Sequence, residues 1–147
     1  MDMNKHEKGY TMTELIVTLS IIMMMSSLVT LTFSPLQKAQ QKEHFLHEFK
    51  NDLYLTQQLA ISTGNPTTLY IRTTNHTYSI NQQTKPLYTR TFDSTISFEK
   101  GTLSFTDVIY HYNGNISKSG TLLMTIDGTR YRVVFLLGKG RFYIEKM

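Results

Sequence analysis

Residues Gly9 to Phe33 read GYTMTELIVTLSIIMMMSSLVTLTF, and this stretch decides the architecture. From Leu15 to Phe33 there are 19 uncharged residues, and the next charge is Lys38. As a helix, 19 residues span about 28 Å, close to the thickness of a bilayer's hydrocarbon core. A secretory signal has a shorter apolar region and ends in a small-residue cleavage site. Ser26-Ser27, the one candidate for such a site, lies inside the apolar run. The length therefore favours a retained anchor over a cleaved signal.

Six of the 19 residues are Ser or Thr: Thr18, Ser20, Ser26, Ser27, Thr30 and Thr32. They admit two readings. The hydroxyls either bond back to the helix's own carbonyls, or they provide small contacts at which other helices approach closely.

Glu14 is the anomaly at the head of this run. A carboxylate drawn into a membrane costs a few kcal/mol unless it is paired (about 2.5–3.5 at the helix centre). Either it stays at the headgroups and favours the helix start, as acids do at N-termini, or it pairs with a cation. Met1 to Gly9 (MDMNKHEKG) forms a short polar leader ahead of it.

Gly9-Tyr10-Thr11-Met12-Thr13-Glu14 followed by an apolar run resembles the prepilin cleavage and methylation motif of type IV pilins and pseudopilins. The resemblance implies cutting after Gly9 by a prepilin peptidase and methylation of the new amine of Tyr10. It also implies a docking role for Glu14, which would become mature position five and pair with a neighbour's N-terminal amine. Such a pairing would give the carboxylate its cation. Two departures stand out: Tyr10 replaces the family's usual Phe, and the only proline near the run is Pro35. Lys5 and Lys8 precede the run and Lys38 and Lys42 follow it, so charge alone does not orient it. The leader motif and the large C-terminal part imply an inside N-terminus and an outside domain.

Beyond the run, Leu36 to Thr63 has a helical pattern. Phe45, Phe49 and Leu53 recur at i, i+4, i+8, and Leu46, Leu53 and Ala60 recur at sevens. Gly64-Asn65-Pro66 ends it. The reading is one long helix, interrupted or bent near Pro35, whose apolar stripe docks on a sheet.

From Thr67 the period changes to short β-rich segments: TTLYIR, TYSI, TISFEK, DVIYHY, GTLLMTI, RYRVVFLL and RFYIEK. Asp127-Gly128 is a hairpin signal, and Asn113-Gly114 and Gly138-Lys139-Gly140 are turns. Glycine spacing and strand pattern over Tyr110 to Gly120 and the YRVVFLLGKGR hairpin resemble GspH-type minor pseudopilins. The likeness is nearer to the ComGD-type competence pseudopilins of Gram-positive bacteria. It implies a minor subunit of a transformation pseudopilus that lets exogenous DNA reach the uptake machinery. Its partners would be the prepilin peptidase/methylase, other pseudopilins and, indirectly, an assembly ATPase and a membrane platform protein.

The chain's 147 residues contain no cysteine, which excludes disulfides, thiolate zinc sites and thiol catalysis. A net charge of +4 is too small to argue by itself for nucleic-acid binding. No acid–base or nucleophile pair emerges, so the chain reads as a non-enzyme without cofactor. His44 and His47, flanked by Glu43 and Glu48, read as a solvated helix face rather than a metal site. Gly138-Lys139-Gly140-Arg141 lacks the spacing of a phosphate loop. The basic residues Arg130, Arg132, Lys139 and Arg141, with aromatic neighbours, form a candidate DNA contact; the alternative is a solvated sheet face.

The expected architecture is thus α+β and pilin-like, a long N-terminal helix packed on a C-terminal antiparallel sheet. Residues 1–9 read as leader, 10–34 as transmembrane and assembly helix, 35–64 as amphipathic helix and 65–147 as β domain. The expected location is the cytoplasmic membrane, single-pass, with the mature form in a cell-surface pseudopilus. A minor pseudopilin of a type II-like secretion system and a membrane-tethered extracellular binding domain are the alternatives.

Overall fold

The computed structural model describes residues 9–138 and 140–147; for 28–38 it describes the backbone alone. Helix α1 runs from Met12 to Thr63. It is assigned without interruption through Pro35, where the sequence suggested a break or bend. The chain divides into two compact units after Gln40.

In the first unit the described apolar side chains of α1, Leu15 to Met25, are exposed. Three hydroxyls of this segment turn inward on their own backbone. Thr18 Oγ1 donates to the Leu15 carbonyl at 2.9 Å, Ser20 Oγ to Ile16 at 2.8 Å and Ser27 Oγ to Met24 at 2.8 Å. Such bonds mask the hydroxyls' polarity.

The second unit is built on residues 41–63 of α1 and eight strands: β1 (Thr67–Arg72), β2 (Thr77–Gln82), β3 (Lys85–Thr91), β4 (Ile96–Lys100), β5 (Val108–Tyr110), β6 (Gly120–Ile126), β7 (Thr129–Phe135) and β8 (Phe142–Lys146). They divide between two four-stranded sheets, ordered β3-β2-β1-β5 and β4-β6-β7-β8. Every pairing is antiparallel.

The helix stripe supplies the centre of the core. Phe45, Phe49, Leu53 and Ala60 are buried, with Leu69, Ile71 and Tyr78 from the first sheet and Phe98, Met124, Val133 and Phe135 from the second. Phe49 meets Tyr78 edge-on at 5.5 Å and Phe98 at 5.3 Å, so one ring touches both sheets. Burying a residue such as Phe49 or Leu53 contributes about 1.5–3 kcal/mol each. The stripe is therefore what holds the two sheets against one helix.

Turns follow local chemistry. Asp127 and Gly128 both adopt left-handed conformations (φ 46° and 73°), as a two-residue hairpin turn with matching twist requires. Gly140 faces a tighter demand. Its φ is 56°, and a Cβ there would collide with the Gly114 carbonyl and with Gln57. That carbonyl accepts a hydrogen bond from Gln57 Nε2 at 2.8 Å. Two loops and the helix thus close on one another where a side chain has no room.

Candidate functional site

The leader junction is the first candidate. Gly9, Tyr10 and Thr11 precede the helix in irregular backbone, and Tyr10 is 80% exposed. Gly9 has no left-handed φ, and a Cβ built on it meets nothing within 4 Å. Nothing in the described structure therefore requires a glycine at this position.

Glu14 stands in the first turn of α1, exposed, where the helix dipole favours a carboxylate. Its backbone N–H donates to Thr11 Oγ1 at 3.3 Å, and the Leu15 N–H donates to the Thr11 carbonyl at 3.2 Å. Thr11 is therefore the N-cap. Thr11-x-x-Glu14 has the spacing of a capping box, a signal that the sequence reading did not use. Among the described residues Glu14 makes no ion pair.

The basic residues of the last strands behave differently from one another. Along β7, Tyr131, Val133 and Phe135 face the core, and Arg130 and Arg132 face outward, as strand alternation requires. Arg130 pairs with Glu99 at 3.3 Å and Arg132 with Glu145 at 3.1 Å. Both partners come from other strands of the same sheet, Glu145 from the adjacent β8 and Glu99 from β4 two strands away, so this face carries two balanced pairs. Arg141 has no ion pair among the described residues, and Lys139 lies outside them.

A polar cluster that the sequence did not signal joins the helix to the first sheet. Asp52, 3% exposed, accepts the Tyr78 hydroxyl at 2.6 Å and Arg90 Nε at 2.6 Å. Arg90 also reaches Glu48 at 2.8 Å. Burial, reinforced by the Asp52 carboxylate, pushes the Tyr78 hydroxyl well above its ordinary value of 10.0. Glu48 and Asp52 stand one turn apart on α1 and resemble a solvated face, yet Asp52 is buried and Glu48 half-buried, and Arg90, far along the chain, pairs with both.

His44 and His47 line an open hollow with Glu48, Asn51 and Arg90. Among the described residues no group of three or more His, Asp or Glu side chains is placed to hold a metal ion. Also among them, no helix is long and apolar enough to cross a membrane; the described side chains of the apolar run end at Ser27.

Residues 4–30 match the prokaryotic N-terminal methylation motif, which takes in Gly9, Tyr10 and Glu14. The described fold is similar to that of the minor pseudopilin EpsH from the Type 2 Secretion System of Vibrio cholerae. The two are 16% identical, the match covers 71% of this chain and 95% of that one, and the TM-score is 0.55. The chain has a pseudopilin fold. No curated protein sequence matches it. In that pseudopilin frame, the N-terminal motif lies at the exposed start of α1 and the two-sheet unit is carried by its C-terminal part.

Proposed function

We propose that this chain is a minor pseudopilin, a structural subunit rather than an enzyme. It is made with a leader, cut after Gly9, methylated on Tyr10 and packed through α1 into a short extracytoplasmic fibre. One observation carries this reading: a methylation motif spans an exposed, capped helix start whose apolar side chains from Leu15 to Met25 are left exposed among the described residues. A second polypeptide or a bilayer must cover them. Before assembly the full run from Leu15 to Phe33 anchors the chain in the cytoplasmic membrane with the C-terminal unit outside. In the fibre, the N-terminal amine of a neighbour gives Glu14 its cation and sets the register.

The finer reading is a transformation pseudopilus that gives exogenous DNA access to the uptake machinery. It rests on the likeness of the Tyr110–Gly120 and Tyr131–Arg141 stretches to competence pseudopilins. Direct DNA contact, if it contributes, falls to Arg130, Arg132, Lys139 and Arg141. A second reading, a subunit of a type II-like protein secretion system, is favoured by the origin of the matching structure.

A clean in-frame deletion with complementation tests both. Loss of transformation with secretion intact supports the first, and the reverse supports the second. Mass spectrometry of the mature N-terminus tests the shared part. Methylated Tyr10 is the expected result; a retained Met1 overturns it. Glu14→Ala is expected to leave cleavage intact and impair assembly.

A further inference from the structure

The chain contains one Asn-Gly pair, Asn113-Gly114. Such a pair is prone to deamidation, because glycine has no Cβ to shield its backbone nitrogen. The Gly114 nitrogen, once deprotonated, attacks Asn113 Cγ. The new C–N bond closes a succinimide ring, and ammonia leaves. Water then opens the ring at one of its two carbonyls. The product is aspartate, or isoaspartate with an extra methylene in the backbone.

The pair lies in the turn after β5. Tyr110 and Ile116 bridge its two ends, and the His111 N–H donates to the Asn115 carbonyl at 2.9 Å. Asn113 is exposed, but Gly114 is buried. The nitrogen that would attack is occupied, since the Gly114 N–H donates to the His111 carbonyl at 2.8 Å. The group that would be attacked is pinned, since Asn113 Oδ1 accepts the Asn115 N–H at 3.0 Å. The Gly114 carbonyl accepts Gln57 Nε2 at 2.8 Å. Ile61 sits where a Cβ on Gly114 would point, and Gly140 closes on the Gly114 carbonyl. Gly114 is thus held at its N–H, at its C=O and at its Cα.

Attack requires the Gly114 N–H to leave the His111 carbonyl and the Asn113 carboxamide to leave the Asn115 N–H. Breaking such bonds in a buried turn leaves polar groups unsatisfied. The reaction therefore proceeds from an opened turn, and its rate follows the population of that open state. We propose that Asn113 is a deamidation site that the folded turn keeps closed, and that the isoaspartyl product prevents the turn from closing again. Space decides the second half. The lengthened backbone must fit among Gln57, Ile61 and Gly140, where even one added Cβ collides. An opening that lasts long enough to react then leaves a permanent mark on the subunit. Water is the only co-reactant. This goes beyond the fibre-subunit reading and is independent of which machine the fibre serves.

The test incubates the full chain in detergent micelles, and the same chain unfolded in guanidinium chloride, in one mildly alkaline buffer. Peptide mapping by mass spectrometry follows loss of the Asn113 amide, and an isoaspartyl methyltransferase assay counts the isoaspartate. The folded chain is expected to react at residue 113 at least about tenfold more slowly than the unfolded one. Gln57→Leu removes the donor to the Gly114 carbonyl and is expected to raise the folded rate about threefold or more, with the unfolded rate unchanged. Equal folded and unfolded rates overturn the proposal, as does a folded rate that Gln57→Leu leaves unmoved. If that variant does not fold, hydrogen exchange at the Gly114 amide of the wild type takes its place: slow exchange supports the closed turn, and free exchange overturns it. For the second half, chain deamidated while unfolded is refolded and separated into aspartyl and isoaspartyl forms. The aspartyl form keeps the Oδ acceptor and serves as control. The isoaspartyl form is expected to melt earlier and to lose protection at Gly114; melting and protection equal to the control overturn that half.

Discussion

Replacing Asp52 with Ala tests whether the buried cluster fastens the first sheet to the helix. Tyr78 is 1% exposed, so without the carboxylate its hydroxyl is stranded in the core. A buried unsatisfied group of this kind costs about 1–3 kcal/mol. Arg90 loses a 2.6 Å partner but keeps Glu48, and its side chain is 35% exposed, so solvent screens the loss. That part adds under about 1 kcal/mol. The total is about 1–4 kcal/mol, or on the order of 5–20 °C in Tm for a domain of this size. Urea and thermal unfolding of the full chain in detergent, followed by circular dichroism, measure it. Tyr78→Phe in the Asp52→Ala background removes the stranded hydroxyl and should recover about 1–2 kcal/mol. A single variant within about 0.5 kcal/mol of wild type, or a double variant no better than Asp52→Ala, would refute the reasoning.

Other perturbations separate local from long-range constraints. Gly140→Ala forces a side chain into the Gly114–Gln57 contact and should destabilise by about 2–4 kcal/mol, whereas Gly128→Ala, at a similar φ in open space, should cost about 1 kcal/mol; denaturant melts of both distinguish crowding from backbone strain. The Asp107 carboxyl is held at about 2, below its ordinary 3.8, by the Ser104 N–H, with further help from Lys118. Because the folded value is the lower one, its stabilisation is complete above pH 3.8 and is lost as pH falls through about 2; Asp107→Asn should flatten stability across that window, and the carboxyl's NMR titration should have its midpoint near the lower value. Arg130→Ala with Arg132→Ala removes two exposed pairs and should lower stability by under about 1 kcal/mol per pair; a DNA-retention assay on the same variant, across salt concentrations, shows whether either arginine also contacts phosphate.

Much of the fold is legible because its signals are local. The Phe45–Phe49–Leu53 spacing marks the buried face, Gly64 (φ 69°) marks the end of α1, and Asp127-Gly128 marks the hairpin. β3 escapes such a reading because Pro86 and exposed side chains hide a strand that needs only one paired edge. The division into two sheets is equally hidden, since it depends on which strands pair rather than on what each strand is. At the candidate site, Gly9, Tyr10 and Glu14 form one contiguous motif and can be read directly. The balanced pairs of Arg130 and Arg132 and the inward turn of Asp52 depend on partners from other strands. No spacing rule reports such partners.

The inward-bonded hydroxyls of Thr18, Ser20 and Ser27 matter most when the helix changes surroundings. A subunit that leaves a bilayer for a fibre exchanges lipid chains for neighbouring helices, two environments of nearly equal polarity. With a backbone carbonyl already accepting each of them, these three hydroxyls need no new partner on either side of such an exchange. The hydroxyls therefore set no preference between the two surroundings, and the choice falls to the apolar side chains around them.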